Sequence, residues 1–596
     1  MKRRIWPILA LSILLPVIAA LVFRMTKQYP SGYYGNPLGI PVELAANFGE
    51  VRNNHFHMGL DIRTNGKENL PVYAAAGGFV SRVTIEEAGF GHALYLTHPN
   101  GTITVYGHLN RFTPALEDYV RARQYKNEQW QQDIQFSKNE FPVAMGALVA
   151  YSGNTGASEG PHLHFEIRDI RTGNNLNPLG NGFGLNDNLP PVIQGLYWYG
   201  RAKSIYQTEA IPIPIRGDDN NYSANEEVTT VSQPCISLGL EATDKNAETK
   251  YRLGIYKVME YMDDSLVFCF ALNSVCYSDT RYVNACIDYG KWFQQSKCIQ
   301  LLCKLPGNKL PVFEGSPGNG VIYLEDKKVH CLKILVFDAA GNLTVIKLNV
   351  KYVGTNHTAN NSLNHGRQMV PGKTNTVKTA HATANFGTNA FYDTVPFTMY
   401  EEAPTEANSA SALVHLHNAT VPVHDTYNLR LQTTLGANSP LRKHVIMQLT
   451  NDKRTVIVRG QWDRNRMEGG FTELGNIQLV IDTVAPDLQC YGGDNTHFTD
   501  NDKALHIKYT DNFGDAASFK GVLDGAWVLF EKKGDLFTYR FDEHCPPGKH
   551  VLQCTVADMA GNVTAKNFVF YTNGAFSSKI ARIEREMPLI GCLIKH

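Results

Sequence analysis

Gly160-Pro161-His162-Leu163-His164-Phe165-Glu166 sets two histidines one residue apart. In an extended strand, residues i and i+2 point to the same face. Both imidazoles therefore enter one space, where they can share a metal or a substrate. Alone, His-x-His is a weak signal, because neighbouring surface histidines are common. Two upstream segments strengthen it. Asn54-His55-Phe56-His57-Met58-Gly59-Leu60-Asp61 puts His57 and Asp61 four apart, on one face of a strand or of a helical turn. Tyr106-Gly107-His108-Leu109 ends one arm of a β-hairpin whose turn is Pro99-Asn100-Gly101. Neutral imidazoles with one carboxylate suit Zn²⁺. A catalytic zinc site takes three protein ligands, one open position, and groups nearby that move protons or steady an oxyanion. Five residues are enough for all of that.

Around these segments the text is short strands and glycine-rich turns. Strands are expected over 72–85, 93–97, 102–106, 143–152 and 162–167, with one polar helix over 117–135 inserted in a loop. Residues 28–45 read as an extended lead-in, and 186–191 as a linker. Other polar residues are weighed against ordinary roles. His55 competes with His57 as a ligand but fits the rim of a groove better. His92 and His98 fit solvated or hydrogen-bonded positions. Glu166, two residues after His164, faces the same side and can orient that histidine. Tyr106 reads as packing, and Asn154 and Thr155 as a loop beside the site.

The segments His57-Met-Gly-Leu-Asp61, Tyr106-Gly-His108-Leu and Gly160-Pro-His162-Leu-His164-Phe resemble the signature of the M23 (lysostaphin/LytM-type) zinc metallopeptidases. Gly91-His-Ala-Leu-Tyr-Leu and Gly146-Ala-Leu-Val-Ala-Tyr-Ser-Gly-Asn-Thr-Gly156 match the same pattern. The resemblance covers about residues 46–180. It implies one zinc ion on His57, Asp61 and His164, with His108 and His162 as the catalytic pair, and leaves open which of the two is the general base. It implies a compact antiparallel β-sheet peptidase domain, duplicated hybrid motif-like, with the metal in a groove. The substrate class implied is the peptides of bacterial peptidoglycan, cut in stem peptides or cross-bridges. The insertion at about 111–142 departs from the shortest members and is placed as a wall of that groove. The alternative is a non-catalytic envelope regulator or scaffold that binds peptidoglycan or activates another cell-wall hydrolase; a degenerate copy should lack one of the five residues, and none is missing.

The remaining sequence frames this domain. The chain has 596 residues, too many for a single core, with 43% hydrophobic and 19% charged residues. Lys+Arg and Asp+Glu are both 56, which argues against a dedicated nucleic-acid binder, since such a protein needs a surplus of phosphate-neutralising charge. Lys2-Arg3-Arg4 precedes an apolar run over residues 5–23. Nineteen such residues span a bilayer with the basic end inside. Residues 1–27 are therefore expected to be a signal anchor or a signal peptide, the rest lying in the cell envelope, in the periplasm, with a possible inner-membrane anchor. The eleven cysteines contain no C-x-x-C, so a zinc ribbon is a poor reading and buried thiols are expected over disulfides.

The fold class expected is all-β: the peptidase domain over 28–188, then Ig-like β-sandwich domains. Asp338-Ala-Ala-Gly-Asn342 and Asp558-Met-Ala-Gly-Asn562 are two copies of a D-x-A-G-N turn between strand-like runs, each the last hairpin of a sandwich. The turns lack the repeated carboxylates of an EF-hand and read as plain turns. Sandwiches are expected at 191–353, 390–482 and 484–573, a linker at 354–389, and a tail of unassigned role at 574–596.

Overall fold

The computed structural model describes residues 30–573 except 31, 219, 248, 316, 355–365, 405 and 500. The expected N-terminal targeting segment and the tail from residue 574 lie outside the described residues. Among the described residues, no helix is long and apolar enough to cross a membrane.

In chain order the first domain comprises β1 (Leu44–Ala46), β2 (Val51–Arg52), β3 (His55–Phe56), β4 (Leu60–Arg63), β5 (Pro71–Tyr73), β6 (Gly78–Ile85), β7 (His92–Thr97), β8 (Thr102–Phe112), α1 (Pro114–Asn127), β9 (Gln132–Gln135), β10 (Pro142–Val143), β11 (Leu148–Ser152), β12 (His162–Asp169) and β13 (Asn175–Leu176). The main sheet is antiparallel and runs β1-β4-β12-β8-β7-β6-β10, with β11 joining β5 to β8. Alternation along β4 and β12 puts Leu60, Ile62, Leu163, Phe165 and Ile167 into a core shared with Tyr106, Leu94 and Val83. The lead-in belongs to this domain too. Tyr34 and Leu38 are buried in the same core, and β1 pairs with β4.

Two local expectations are corrected. The run over 72–85 is two strands, β5 and β6, because residues 74–77 turn between them. The expected helix over 117–135 stops at Asn127, where Glu128 caps it with φ 48°. Residues 132–135 instead form β9, which pairs with β6, and Arg82 holds Asp133 by two hydrogen bonds of 2.7 and 2.8 Å. Cross-strand pairing outcompetes the helical preference of the polar stretch.

Three β-sandwiches follow. In the first, a sheet built on Val192–Gly200 and Cys235–Thr243 packs on one built on Lys257–Met262, His330–Phe337 and Leu343–Tyr352. The second is larger than expected. Arg367–Met369, Asn375–Lys378 and Ala382–Phe386 are strands of it, and Met369, Val377 and Phe386 are in its core, so the supposed linker at 354–389 ends by residue 366. Small and polar residues there alternate with buried ones, a pattern that composition alone conceals. The last sandwich runs from Asp487–Cys490 to Val563–Thr572. Its final hairpin and that of the first sandwich flank the two D-x-A-G-N turns as expected. Cys286, Cys303, Cys545 and Cys554 are buried thiols.

The last sandwich returns to the first domain. Asp542, its side chain only 3% exposed, accepts hydrogen bonds from Arg121 (2.8 Å) and Tyr125 (2.5 Å) of α1, and Tyr125 stacks on His544. Lys532 pairs with Glu87, and Lys533 donates to the Asn154 carbonyl at 2.5 Å. The insertion therefore serves as a dock for this sandwich. Asp542→Ala leaves Arg121, Tyr125 and the sandwich's own Tyr539, which donates at 2.8 Å, without their acceptor. It should cost about 1–3 kcal/mol and speed amide exchange across Pro114–Asn127; unchanged exchange and melting would contradict this dock.

Candidate metal centre

Three neighbouring strands bring the predicted residues together. Asp61 on β4 is the direct cross-strand partner of His164 on β12, and His164 is the partner of Gly107 on β8. His57 lies just before β4. His57 Nε2, Asp61 Oδ1 and His164 Nδ1 form a triangle with sides of 2.9, 2.9 and 3.1 Å. Ligands on a tetrahedral sphere at zinc distances stand roughly 3.3 Å apart, so the triangle fits one small cation with little adjustment.

The hydrogen bonds fix which ring nitrogen faces inward. A carbonyl or a carboxylate only accepts. His57 Nδ1 lies 2.8 Å from the Asn47 carbonyl, so it carries the proton and Nε2 presents a lone pair. His164 Nε2 lies 3.0 Å from Glu166 Oε1, so its lone pair is on Nδ1. His108 Nδ1 is 2.8 Å from the Thr155 carbonyl, and His162 Nδ1 is 2.8 Å from the Gly160 carbonyl. In its neutral form, the form a metal requires, each of the four rings therefore turns its unprotonated nitrogen away from its anchor. The His108 and His162 rings lie 4.7 Å apart, and His162 Nε2 is 3.4 Å from Asp61 Oδ1.

Electrostatics separate the histidines. Burial pushes the His108 ring down to about 3, with His164 and His162 adding to the effect. Burial also opposes charge on His164, but its hydrogen bonds to Asp61 and Glu166 outweigh it and raise the ring to about 9. Asp61 is buried as well, yet His57, His162 and His164 hold it well below the usual carboxylate range. Its Oδ2 also faces Arg52 at 3.4 Å.

Two backbone features shape the centre. His108 has φ 58°, a left-handed conformation uncommon outside glycine. A bulge at this point of β8, seen as a register shift against β7, turns the ring out of the regular alternation. Gly59 is required by contact: a Cβ there would stand 2.4 Å from the Phe165 carbonyl and 2.9 Å from His164 Nε2.

The other expectations sort cleanly. Glu166 is fully buried and anchors His164, with Arg168 bound to its second oxygen at 2.7 Å. Thr155 anchors His108. His98 is hydrogen-bonded to the Gly77 carbonyl and to Thr104. His92 is buried and stacks on Phe112. Tyr106 is packed, its hydroxyl accepting from Ala75 N. His55 is exposed and lies outside the triangle. Sequence reading missed Asn47, Arg52 and Tyr277. Tyr277, from the first sandwich, donates to Glu166 Oε1 at 2.5 Å. It lies more than a hundred residues downstream, and no motif marks it. The sandwich also supports His57: flanking Phe56 and Met58 are buried in the sandwich core, and Phe56 N donates to Thr280 Oγ1 at 2.7 Å.

Two inward imidazole nitrogens and a carboxylate, with two further histidines at the rim, form a donor set that could hold one metal ion. Residues 55–125 match the model of peptidase family M23, and residues 367–482 that of a Zu5-like domain. The M23 match lies within the first domain, and the Zu5-like match coincides with the enlarged middle sandwich. The DD-carboxypeptidase/endopeptidase Mpg of Neisseria meningitidis is 31% identical over 112 residues, 19% of this chain and 20% of the relative. An uncharacterized metalloprotease of Haemophilus influenzae is 33% identical over 123 residues, 21% of this chain and 20% of the relative. The chain spans about a fifth of the length of these curated relatives. Among solved structures, the catalytic domain of lysostaphin from Staphylococcus simulans is 19% identical, covering 23% of this chain and 90% of that one, with a TM-score of 0.18.

Proposed function

We propose that this chain is a zinc-dependent endopeptidase that hydrolyses peptide bonds of bacterial peptidoglycan, in stem peptides or cross-bridges, during cell-wall remodelling. The observation that carries the reading is the triangle of His57 Nε2, Asp61 Oδ1 and His164 Nδ1, whose donor set and spacing fit one zinc ion. The substrate class is supported by the M23 match and by the name of the Neisseria relative. A position in the periplasm, anchored by residues 5–23, is supported by the basic and then apolar start of the chain.

When bound, zinc supplies Lewis acidity, polarising a carbonyl and making water more acidic. The chain's own histidines handle the protons. The Thr155 carbonyl pins the Nδ1 proton of His108, so Nε2 is the nitrogen of this ring that can accept a proton. His162 Nε2 faces Asp61 Oδ1 at 3.4 Å, at the edge of the triangle. That ring donates to a developing oxyanion or to the leaving amine.

The test is digestion of purified peptidoglycan by the wild type and by His162→Ala, with zinc content measured in both. New free amines should appear with the wild type only, and both proteins should hold zinc. Equal activity, or a wild type without zinc, would sink the reading. A regulator that merely activates another hydrolase would release no amines in either case.

Zinc uptake should also depend on pH with a defined sign. In the metal-free protein His164 is protonated below about 9, and a ligand must be deprotonated to bind. Between pH 6 and 8 binding should release about one proton, and affinity should rise about tenfold per pH unit. Calorimetry in buffers of different ionisation enthalpy reads this directly; a pH-independent affinity would contradict it.

A further inference from the structure

The two D-x-A-G-N turns each bring an aspartate to a junction between domains, and each meets two more aspartates there. At the first junction Asp187, Asp244 and Asp338 each offer a carboxylate oxygen, all within 4.8 Å of one another. At the second, Asp482, Asp511 and Asp558 do the same. Corresponding residues come from corresponding places. Asp187 and Asp482 lie on the segment entering a sandwich. Asp244 and Asp511 each follow a Thr that ends a strand, Cys235–Thr243 and Ala504–Thr510. Asp338 and Asp558 open the turns. The wiring repeats as well. Asn342 and Asn562 each donate to the carbonyl of the entering aspartate, Asp187 (3.3 Å) and Asp482 (3.0 Å). Thr344 and Thr564 each donate to a proline carbonyl of the entering segment, Pro191 and Pro486, at 2.5 Å.

Acidic clusters are common without ions. What distinguishes these two is a buried oxygen left without a partner in each. Asp244 is 4% exposed, and its Oδ1 has no hydrogen bond. Asp482 is 1% exposed, and its Oδ2 has none. Asp511 Oδ1 is also without a partner. Among the described residues, none of the six aspartates forms an ion pair, whereas Asp542 of the neighbouring acidic group is satisfied by Arg121, Tyr125 and Tyr539. Three carboxylates brought together, two of each triad buried and one partly buried, with no cation of the protein's own among the described residues, are costly unless something positive joins them. All-oxygen carboxylate sets select hard cations, and calcium accepts six to eight oxygens at about 2.3–2.6 Å. Two oxygens on one calcium stand no further apart than roughly 5 Å, which these triads satisfy. The first triad also borders a cleft of about 520 Å³, so water can complete the shell.

We propose that each triad is a calcium site, and that the two ions fasten the junctions entering the first and last sandwiches. Each ion would tie three otherwise separate segments: the entering segment, the end of a strand, and the final hairpin turn. The first site would fix the metallopeptidase domain against the sandwich that supplies Tyr277. The second would fix the sandwich that docks on α1.

The experiment uses the full chain with its zinc site filled, and calcium chloride as the probe. Equilibrium dialysis should find two calcium ions per chain. Asp244→Asn and Asp511→Asn should each retain one, and the double variant none. Calcium should raise the melting temperature of the wild type and leave that of the double variant unchanged. Retained zinc in every variant shows that the chain still folds. No calcium bound by the wild type at 10 mM, or two ions still bound by the double variant, would overturn the proposal. Such a result would not touch the zinc reading.

Discussion

Replacing His164 with alanine should empty the zinc site, whereas replacing His108 with alanine should leave zinc bound and lower peptidoglycan hydrolysis by about 10²–10⁴-fold. The two rings lie 5.9 Å apart, yet their inward nitrogens have different company. His164 Nδ1 lies 2.9 Å from Asp61 Oδ1 and 3.1 Å from His57 Nε2, so its loss removes one corner of the triangle. His108 is anchored by Thr155, outside the triangle. Its loss removes a proton acceptor and leaves the other three donors in place. Metal analysis alongside amine release distinguishes the two. Zinc lost from both variants would place His108 among the ligands, and activity kept in His108→Ala would remove it from the proton path.

Glu166→Gln should weaken zinc binding by about 10–100-fold, the usual effect of losing the carboxylate behind a metal-bound histidine. Glu166 carries two loads, since Arg168 and Tyr277 both converge on it. Tyr277→Phe is therefore the cleaner companion, because it removes one hydrogen bond and no charge. It should reduce zinc affinity in the same direction and by less. A competition titration with a chelator measures both. Wild-type affinity in Glu166→Gln would show that the His164 ring needs no anchor. By the same reasoning, a chain truncated after Asn188 should bind zinc poorly, because the partners of Phe56, Met58 and Glu166 lie in the sandwich.

Much of the centre was legible because its residues sit on short, local patterns. His-x-His declares two side chains on one strand face. H-x-x-x-D works differently. His57 precedes β4 and Asp61 lies within it, so the four-residue spacing spans a bend at Gly59, where a side chain would collide with Phe165 and His164. Glu166 followed from strand periodicity alone. The insertion shows the opposite case. A polar stretch with helical composition contains a strand, β9, because β6 offered it an edge to pair with. The supposed linker before the middle sandwich failed for a related reason: strands built of Ala, Thr and Asn are visible only once their partners are.

The calcium proposal marks the same boundary. Each D-x-A-G-N turn shows one aspartate, and one aspartate at a turn is ordinary. The other two in each triad lie at least 47 residues away, at positions no local pattern connects.

By itself, the sequence determined the all-β class, the likeness of the first domain to M23 peptidases, and the five residues that the fold then brings together, because each rests on spacing along a strand or across a short bend. Only the tertiary structure decided which nitrogen of each histidine faces inward, that Tyr277 and the first sandwich support the metal residues, and that the last sandwich closes back on α1. Those depend on groups distant in the chain, whose contacts are set by how whole sheets pack, and packing between domains leaves no periodicity to read.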